Sequence, residues 1–160
     1  MVSKPAPAPI HVRDGGSDDL DSVMGIMDSA FQPCFGERWT RSQCSGILPM
    51  SGVRMRVAGH DERDSAGFSL IRVIADEAEL LLIAVHPVAQ RGGIGEALLD
   101  DFVVLAHSAG ASHLHLEVRS GNPAMGLYSD KGFVIAGRRR DYYHGPQGEQ
   151  YDALTLVLRD

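Results

Sequence analysis

Six consecutive residues, Gln90-Arg91-Gly92-Gly93-Ile94-Gly95, carry the clearest chemical signal in the chain. They follow an apolar run, AELLLIAV at 78–85, and open a long helical pattern. Glycines let a backbone approach a ligand closely, and the free amides of a helix start favour an anion such as phosphate. Two kinds of phosphate loop can be set aside. A P-loop needs GxxxxGK[ST], and no Lys-Ser or Lys-Thr follows these glycines. A dinucleotide fingerprint needs GxGxxG, and Leu98 stands where its third glycine belongs.

Two other groups of residues could do chemistry. His113, His115 and Glu117 alternate along one strand face, a spacing that could hold a metal. No fourth ligand is evident, so an ordinary half-exposed face and no metal are expected. Arg138, Arg139 and Arg140 run beside Tyr142 and Tyr143, which could contact RNA. The chain as a whole argues against that. It holds 15 basic and 21 acidic residues, a net charge of -6, and lacks the basic footprint of a nucleic-acid binder. No DNA partner is expected. Lys4 and Lys131 are the only lysines, which disfavours a lysine-based mechanism. Cys34 and Cys44 read as free thiols of a cytoplasmic protein.

The elements that position these residues follow from pattern. At 160 residues, with 44% hydrophobic and 22% charged positions, one globular domain over 10–160 is expected. The opening MVSKPAPAP lacks the apolar segment of a secretory signal and reads as a flexible tail over 1–9. No apolar run approaches the ~20 residues of a membrane span. Residues 10–13 read as a short strand. Ser17 caps a helix whose apolar positions are Leu20, Val23, Met24, Met27 and Phe31, ended by Pro33. Residues 37–48 read as a second helix, carrying Trp39. Strands are expected at 52–59, 66–75 and 78–85, the last central and buried. A helix over 93–109 presents Ile94, Leu98, Phe102, Leu105 and Ala109, with Gly110 as its stop. Residues 112–118 alternate as a strand. Asn122-Pro123 opens a helix over 123–131. Strands near 133–138 and 151–159 close the chain. Strand-helix-strand units with short links predict a mixed sheet with helices on both faces. Strands 78–85 and 112–118 should be parallel neighbours.

A third loop type, Q/RxxGxG/A, fits Gln90, Gly93 and Gly95, and it belongs to coenzyme-A-dependent N-acetyltransferases. Around it the sequence resembles the GNAT superfamily, more narrowly the bacterial ribosomal-protein-alanine N-acetyltransferases. VHPVAQRGGIGEALL (85–99), LEVRSGNPAMGLYSDKGF (116–133) and GRRRDYYHG (137–145) carry the resemblance, with FGERWT (35–40) a weaker match. It implies an α/β fold with a mostly antiparallel sheet and a splayed central parallel pair. It implies acetyl-CoA as cofactor. Ile83, Ala84 and Val85 would line the acetyl-pantetheine path, Arg91, Gly92, Gly93, Ile94, Gly95 and Glu96 would cradle the pyrophosphate, and Asn122 would touch the pantetheine arm. Glu117 would be the general base and Tyr128 the general acid. Trp39, Arg119, Asp141, Tyr142 and Tyr143 would contact the substrate. Three positions depart from the family pattern: Gly92 where a basic residue or glutamine is common, Asp141 in place of asparagine, and Tyr151 in the Glu-Asp pair before the last strand.

Acetyl transfer needs a neutral amine, a polarised thioester carbonyl and a protonated leaving thiolate. At pH ~7.5 roughly a third of an α-amine is neutral, against about 0.1% of a lysine amine. A weak base therefore suffices for an N-terminal acceptor. The expected function is acetylation of a protein N-terminus, an alanine of a ribosomal protein by the resemblance, without an acyl-enzyme. Acetylation of a small amine and a non-enzymatic acetyl-CoA sensor are the alternatives.

Overall fold

The computed structural model describes residues 8–158. Most of the expected tail, residues 1–7, lies outside them. Among the described residues seven strands form one sheet: β1 (His11–Gly15), β2 (Val53–Gly59), β3 (Gly67–Ile74), β4 (Glu77–Val85), β5 (His113–Arg119), β6 (Phe133–His144) and β7 (Gln150–Leu158). Their order is β1-β2-β3-β4-β5-β7-β6. Only β4 and β5 pair in parallel; the other neighbours are antiparallel. Helices α1 (Leu20–Ala30) and α2 (Arg41–Ile47) cover one face, and α3 (Ile94–Ser108) and α4 (Met125–Asp130) cover the other. The predicted fold class and element order hold.

Period-two burial explains the central strands. Leu114, Leu116 and Val118 of β5 are buried with Leu99 and Phe102 of α3. That leaves His113, His115, Glu117 and Arg119 on the opposite face. On the α3 stripe Ala106 is fully buried and Leu105 packs half-buried against the same core, while Ala109, just past the end of α3, is exposed. Gly110 turns the chain at φ +89°. Against the other face, Val23, Ile26 and Met27 of α1 pack on Met55, Phe68 and Leu70.

One irregularity shapes the molecule. Leu70 pairs with Leu82 and Ile71 with Leu80, so Leu81 is an extra residue in β4. Such a bulge bends its strand and raises the local twist. The parallel ladder between β4 and β5 stops at Leu80 and Leu116, beside this bulge. Beyond it the ends of the two strands share no ladder, and one edge of residues 81–85 faces an opening. The splayed pair is thus built by a single inserted residue.

Four local expectations are corrected. The second helix starts at Arg41, four residues late. Thr40 Oγ1 accepts from the Gln43 N–H at 3.1 Å and Gln43 Oε1 accepts from the Thr40 N–H at 2.7 Å, a reciprocal cap that leaves 37–40 outside the helix. Ser17 is not the cap of α1; residues 17–19 form a 3-10 turn braced by Asp19, whose carboxylate accepts from the Gly16 N–H at 2.9 Å. The helix after Asn122 begins at Met125, although Asn122 Oδ1 does accept from the Ala124 N–H at 2.8 Å. Strand β6 runs six residues past 138, because bulges at 135–137 and 139–143 keep it paired with β7 to His144.

Candidate active site

A cleft of about 700 Å³ opens where β4 and β5 part. One wall is made from backbone. Ile83, Ala84 and Val85 line it with Gln90, Arg91, Gly93, Gly95 and Glu96. Gln90 Nε2 donates to the Val85 carbonyl at 3.1 Å, folding the loop back on the strand end. Arg91 (φ +67°) and Gly93 (φ +91°) both take left-handed backbone. For a non-glycine such as Arg91 this costs roughly 1–3 kcal/mol, a strain that clusters at functional loops. The turn delivers the chain into α3, whose first-turn N–H groups have no intrahelical acceptor. A Cβ on Gly95 would lie 3.4 Å from Leu127 and 3.7 Å from Val85, so a larger residue would narrow the passage between β4 and α4. The Glu96 carboxylate is taken by Lys131 Nζ at 2.9 Å.

The other wall is made from side chains. Glu37 Oε1 accepts from Arg119 Nε at 2.8 Å, and Glu37 Oε2 accepts from Asn122 Nδ2 at 2.7 Å. The Arg119 guanidinium lies 3.7 Å over the Phe35 ring, which meets the Tyr151 ring edge at 5.2 Å. Gly36, at φ +69°, sits so close to the His144 backbone that a Cβ would collide with its carbonyl. The segment after α1 is therefore seated on the β6–β7 hairpin. Tyr128, buried on α4, completes the wall. Burial first, then the nearby Tyr143 and Glu37, push its phenol well above the usual range, so it keeps its proton at neutral pH. Tyr143 is raised for like reasons, burial first and Glu37 next.

The Acetyltransferase (GNAT) domain family pattern matches residues 49–143. The chain belongs to this acetyltransferase family. A [ribosomal protein bS18]-alanine N-acetyltransferase of Escherichia coli (strain K12) is 42% identical over 94 residues. That match covers 58% of this chain and 63% of the relative, so the chain spans less than two thirds of the length of such relatives. A Bacillus subtilis (strain 168) protein of the same name, given there with a provisional qualifier, is 32% identical over 146 residues, 91% of this chain and 92% of its own. The crystal structure of the Escherichia coli ribosomal-protein-S18-alanine N-acetyltransferase superposes with a TM-score of 0.82 at 29% identity, covering 94% of this chain and 93% of that one. The fold is also that of nourseothricin acetyltransferase, at a TM-score of 0.70 and 24% identity, covering 93% and 97%.

Within this GNAT domain the cleft gathers eleven of the expected residues: Ile83, Ala84, Val85, Gln90, Arg91, Gly93, Gly95, Glu96, Arg119, Asn122 and Tyr128. Gly92 is exposed on the loop beside them. The Ile94 side chain points into the core, so only its backbone is available to a ligand. Glu117 lies outside the cleft lining. Its Oε1 is 2.9 Å from Arg139 Nε, and it raises the phenol of Tyr142, which is shifted first by burial. Tyr142 is exposed and meets Tyr143 edge-on at 5.0 Å. Asp141 is exposed at φ +52°, its N–H donating to Asp152 Oδ1 at 3.0 Å. Trp39 is not brought to the cleft; it packs against the cluster of α1 and α2. Because it precedes the capped start of α2, its ring turns inward.

Phe31, Phe35 and Glu37 also line the cleft and were not among the expected site residues, although Phe35 and Glu37 lie in FGERWT, the weaker match to the family. A second, local signal is the Thr40-x-x-Gln43 cap, which excludes 37–40 from the helix. His113 Nε2 and His115 Nε2 lie 3.6 Å and 3.9 Å from Asp76 and Glu79. Among the described residues no three His, Cys, Asp or Glu side chains are placed to hold a metal, and no helix is long and apolar enough to cross a membrane. Both cysteines are free thiols, Cys44 buried and Cys34 partly so.

Proposed function

We propose that the chain transfers the acetyl group of acetyl-CoA to the N-terminal α-amine of a protein in the cytoplasm, an alanine-starting ribosomal protein. The observation that carries this reading is the free edge of β4 running, within one cleft, from the strained 90–96 turn to Tyr128. The residues present fit acetyl-CoA. Unladdered backbone groups at 81–85 suit the amides of a pantetheine arm. The glycines and first-turn amides at 91–96 suit a pyrophosphate. The relatives named for ribosomal-protein alanine support the choice of acceptor.

Acetyl-CoA supplies an activated acetyl thioester when bound. Glu117 takes the amine proton through a water, since its carboxylate lies outside the lining and is held by Arg139. Tyr128 Oη would hold the proton for the departing sulfur. Burial disfavours the tyrosinate, and the same dry surroundings disfavour a free thiolate, so donor and acceptor rise together. Neither cysteine lines the cleft, which favours direct attack over an acyl-enzyme.

A mass-spectrometric assay tests the reading. Acetyl-CoA is offered with an Ala-starting hexapeptide containing one internal lysine, beside its N-terminally blocked form and a pool of small amines. Acetylation of the free N-terminus alone is expected. Transfer only to the small amines overturns the acceptor assignment and leaves fold and cofactor standing.

A further inference from the structure

Glu37 has no part in the chemistry set out above, yet it is the acidic side chain of the acceptor wall. Its side chain is 10% exposed and that of Arg119 is 8% exposed. Sinking such a pair is costly, and apolar residues of similar size brace a loop as well or better. A carboxylate here therefore calls for a reason beyond bracing. Arg119 Nε and Asn122 Nδ2 use one acceptor position on each oxygen. An ionised carboxylate offers about four, so about two remain. Asn122 and Arg119 are themselves committed, Asn122 Oδ1 to the Ala124 N–H and Arg119 Nη1 to the Ser120 carbonyl at 3.1 Å. The carboxylate is thus fixed in direction. Its charge opposes ionisation of both Tyr128 and Tyr143, which puts it within electrostatic reach of the phenol at the reacting end of the cleft.

We propose that Glu37 is a specificity residue that binds the acceptor's N-terminal ammonium. The inference rests on the N-terminal acetylation reading. An α-amine of pKa about 7.7–8 is mostly cationic at pH 7. It would enter as a cation, use the open acceptor positions of Glu37, and then lose its proton toward Glu117. Phe31 and Phe35, on the same wall, exclude water from this pair and strengthen it.

The test measures binding of two hexapeptides to the coenzyme A complex. One starts with alanine. The other is identical but carries a propionyl group in place of that alanine, so it lacks only the amine. Wild-type protein should prefer the amine peptide by at least about tenfold at pH 7, the size of a charge-assisted contact. Glu37→Gln should lose most of that preference while binding the propionyl peptide within twofold of wild type. Glu37→Asp should keep part of the preference, and coenzyme A affinity reports that each variant is folded. Equal weakening of both peptides in Glu37→Gln, or an undiminished preference, overturns the assignment and leaves Glu37 a brace. Peptide acetylation by the wild type, measured on the same preparation, separates the two failures. Its absence overturns the N-terminal reading, and its presence with an unchanged preference overturns Glu37 alone.

Discussion

The two walls of the cleft are built in opposite ways. The β4–α3 wall is made of consecutive residues, and its working groups are peptide N–H and C=O. The facing wall is made of side chains brought from far apart: Glu37 meets Arg119 across 82 positions and Asn122 across 85. A wall of backbone needs particular φ values and the absence of Cβ atoms, and it tolerates many side chains outside the glycines. A wall of side chains needs particular residues and a loop held in place to present them. Substitutions should therefore separate along this line, those in the first wall acting on acetyl-CoA and those in the second on the acceptor.

The largest effect is expected where the walls meet. Tyr128→Phe should lower turnover at least tenfold with little change in peptide affinity, read by product formation under saturating acetyl-CoA. Wild-type turnover would remove the acid role. Gly93→Val comes next. A β-branched residue at φ +91°, with Ile10 at 3.3 Å from the new Cβ, must distort the turn. It should weaken acetyl-CoA binding by about tenfold, from a strain of roughly 1–3 kcal/mol, and spare peptide affinity in a calorimetric titration. Phe35→Ala should show the reverse. It removes the ring under the Arg119 guanidinium, a contact worth about 0.5–2 kcal/mol. The peptide KM should rise severalfold while the acetyl-CoA KM holds. Equal change in both constants would dissolve the distinction between walls. Gly92→Arg is the smallest effect and a gain. A Cβ there meets only the Ala89 carbonyl, at 3.4 Å, so the side chain can extend over the loop. Acetyl-CoA affinity should improve about two- to fivefold at low salt, and less as salt screens the charge.

How legible each wall was in the sequence follows from the same contrast. The turn at 90–95 could be read because its signal is local. Glycine spacing, the apolar run before it and the helical stripe after it lie within thirty residues or so, as backbone motifs do. The strands were readable for a like reason, since alternation or a short apolar run is a property of neighbours, although β6 runs six residues past its expected end. Glu37 could not be read. One glutamate in FGERWT has no periodic partner, and its meaning depends on an arginine and an asparagine that the fold brings to it. Trp39 shows the converse. The resemblance assigns it to the substrate, but it stands just before the capped start of α2 and packs against the core.

Amino-acid order by itself determined the order and type of the strands and helices, that they form a mixed sheet with helices on both faces, and that a glycine-rich turn opens α3. These are short-range consequences of side-chain periodicity and backbone freedom. Tertiary structure alone decided the bulge at Leu81 that parts β4 from β5, the pairing of Glu117 with Arg139 outside the cleft, and the burial of Glu37 within it. Each of those depends on a register or a charge pair between distant segments, which forms only once the packing of the whole sheet has fixed how far apart they lie.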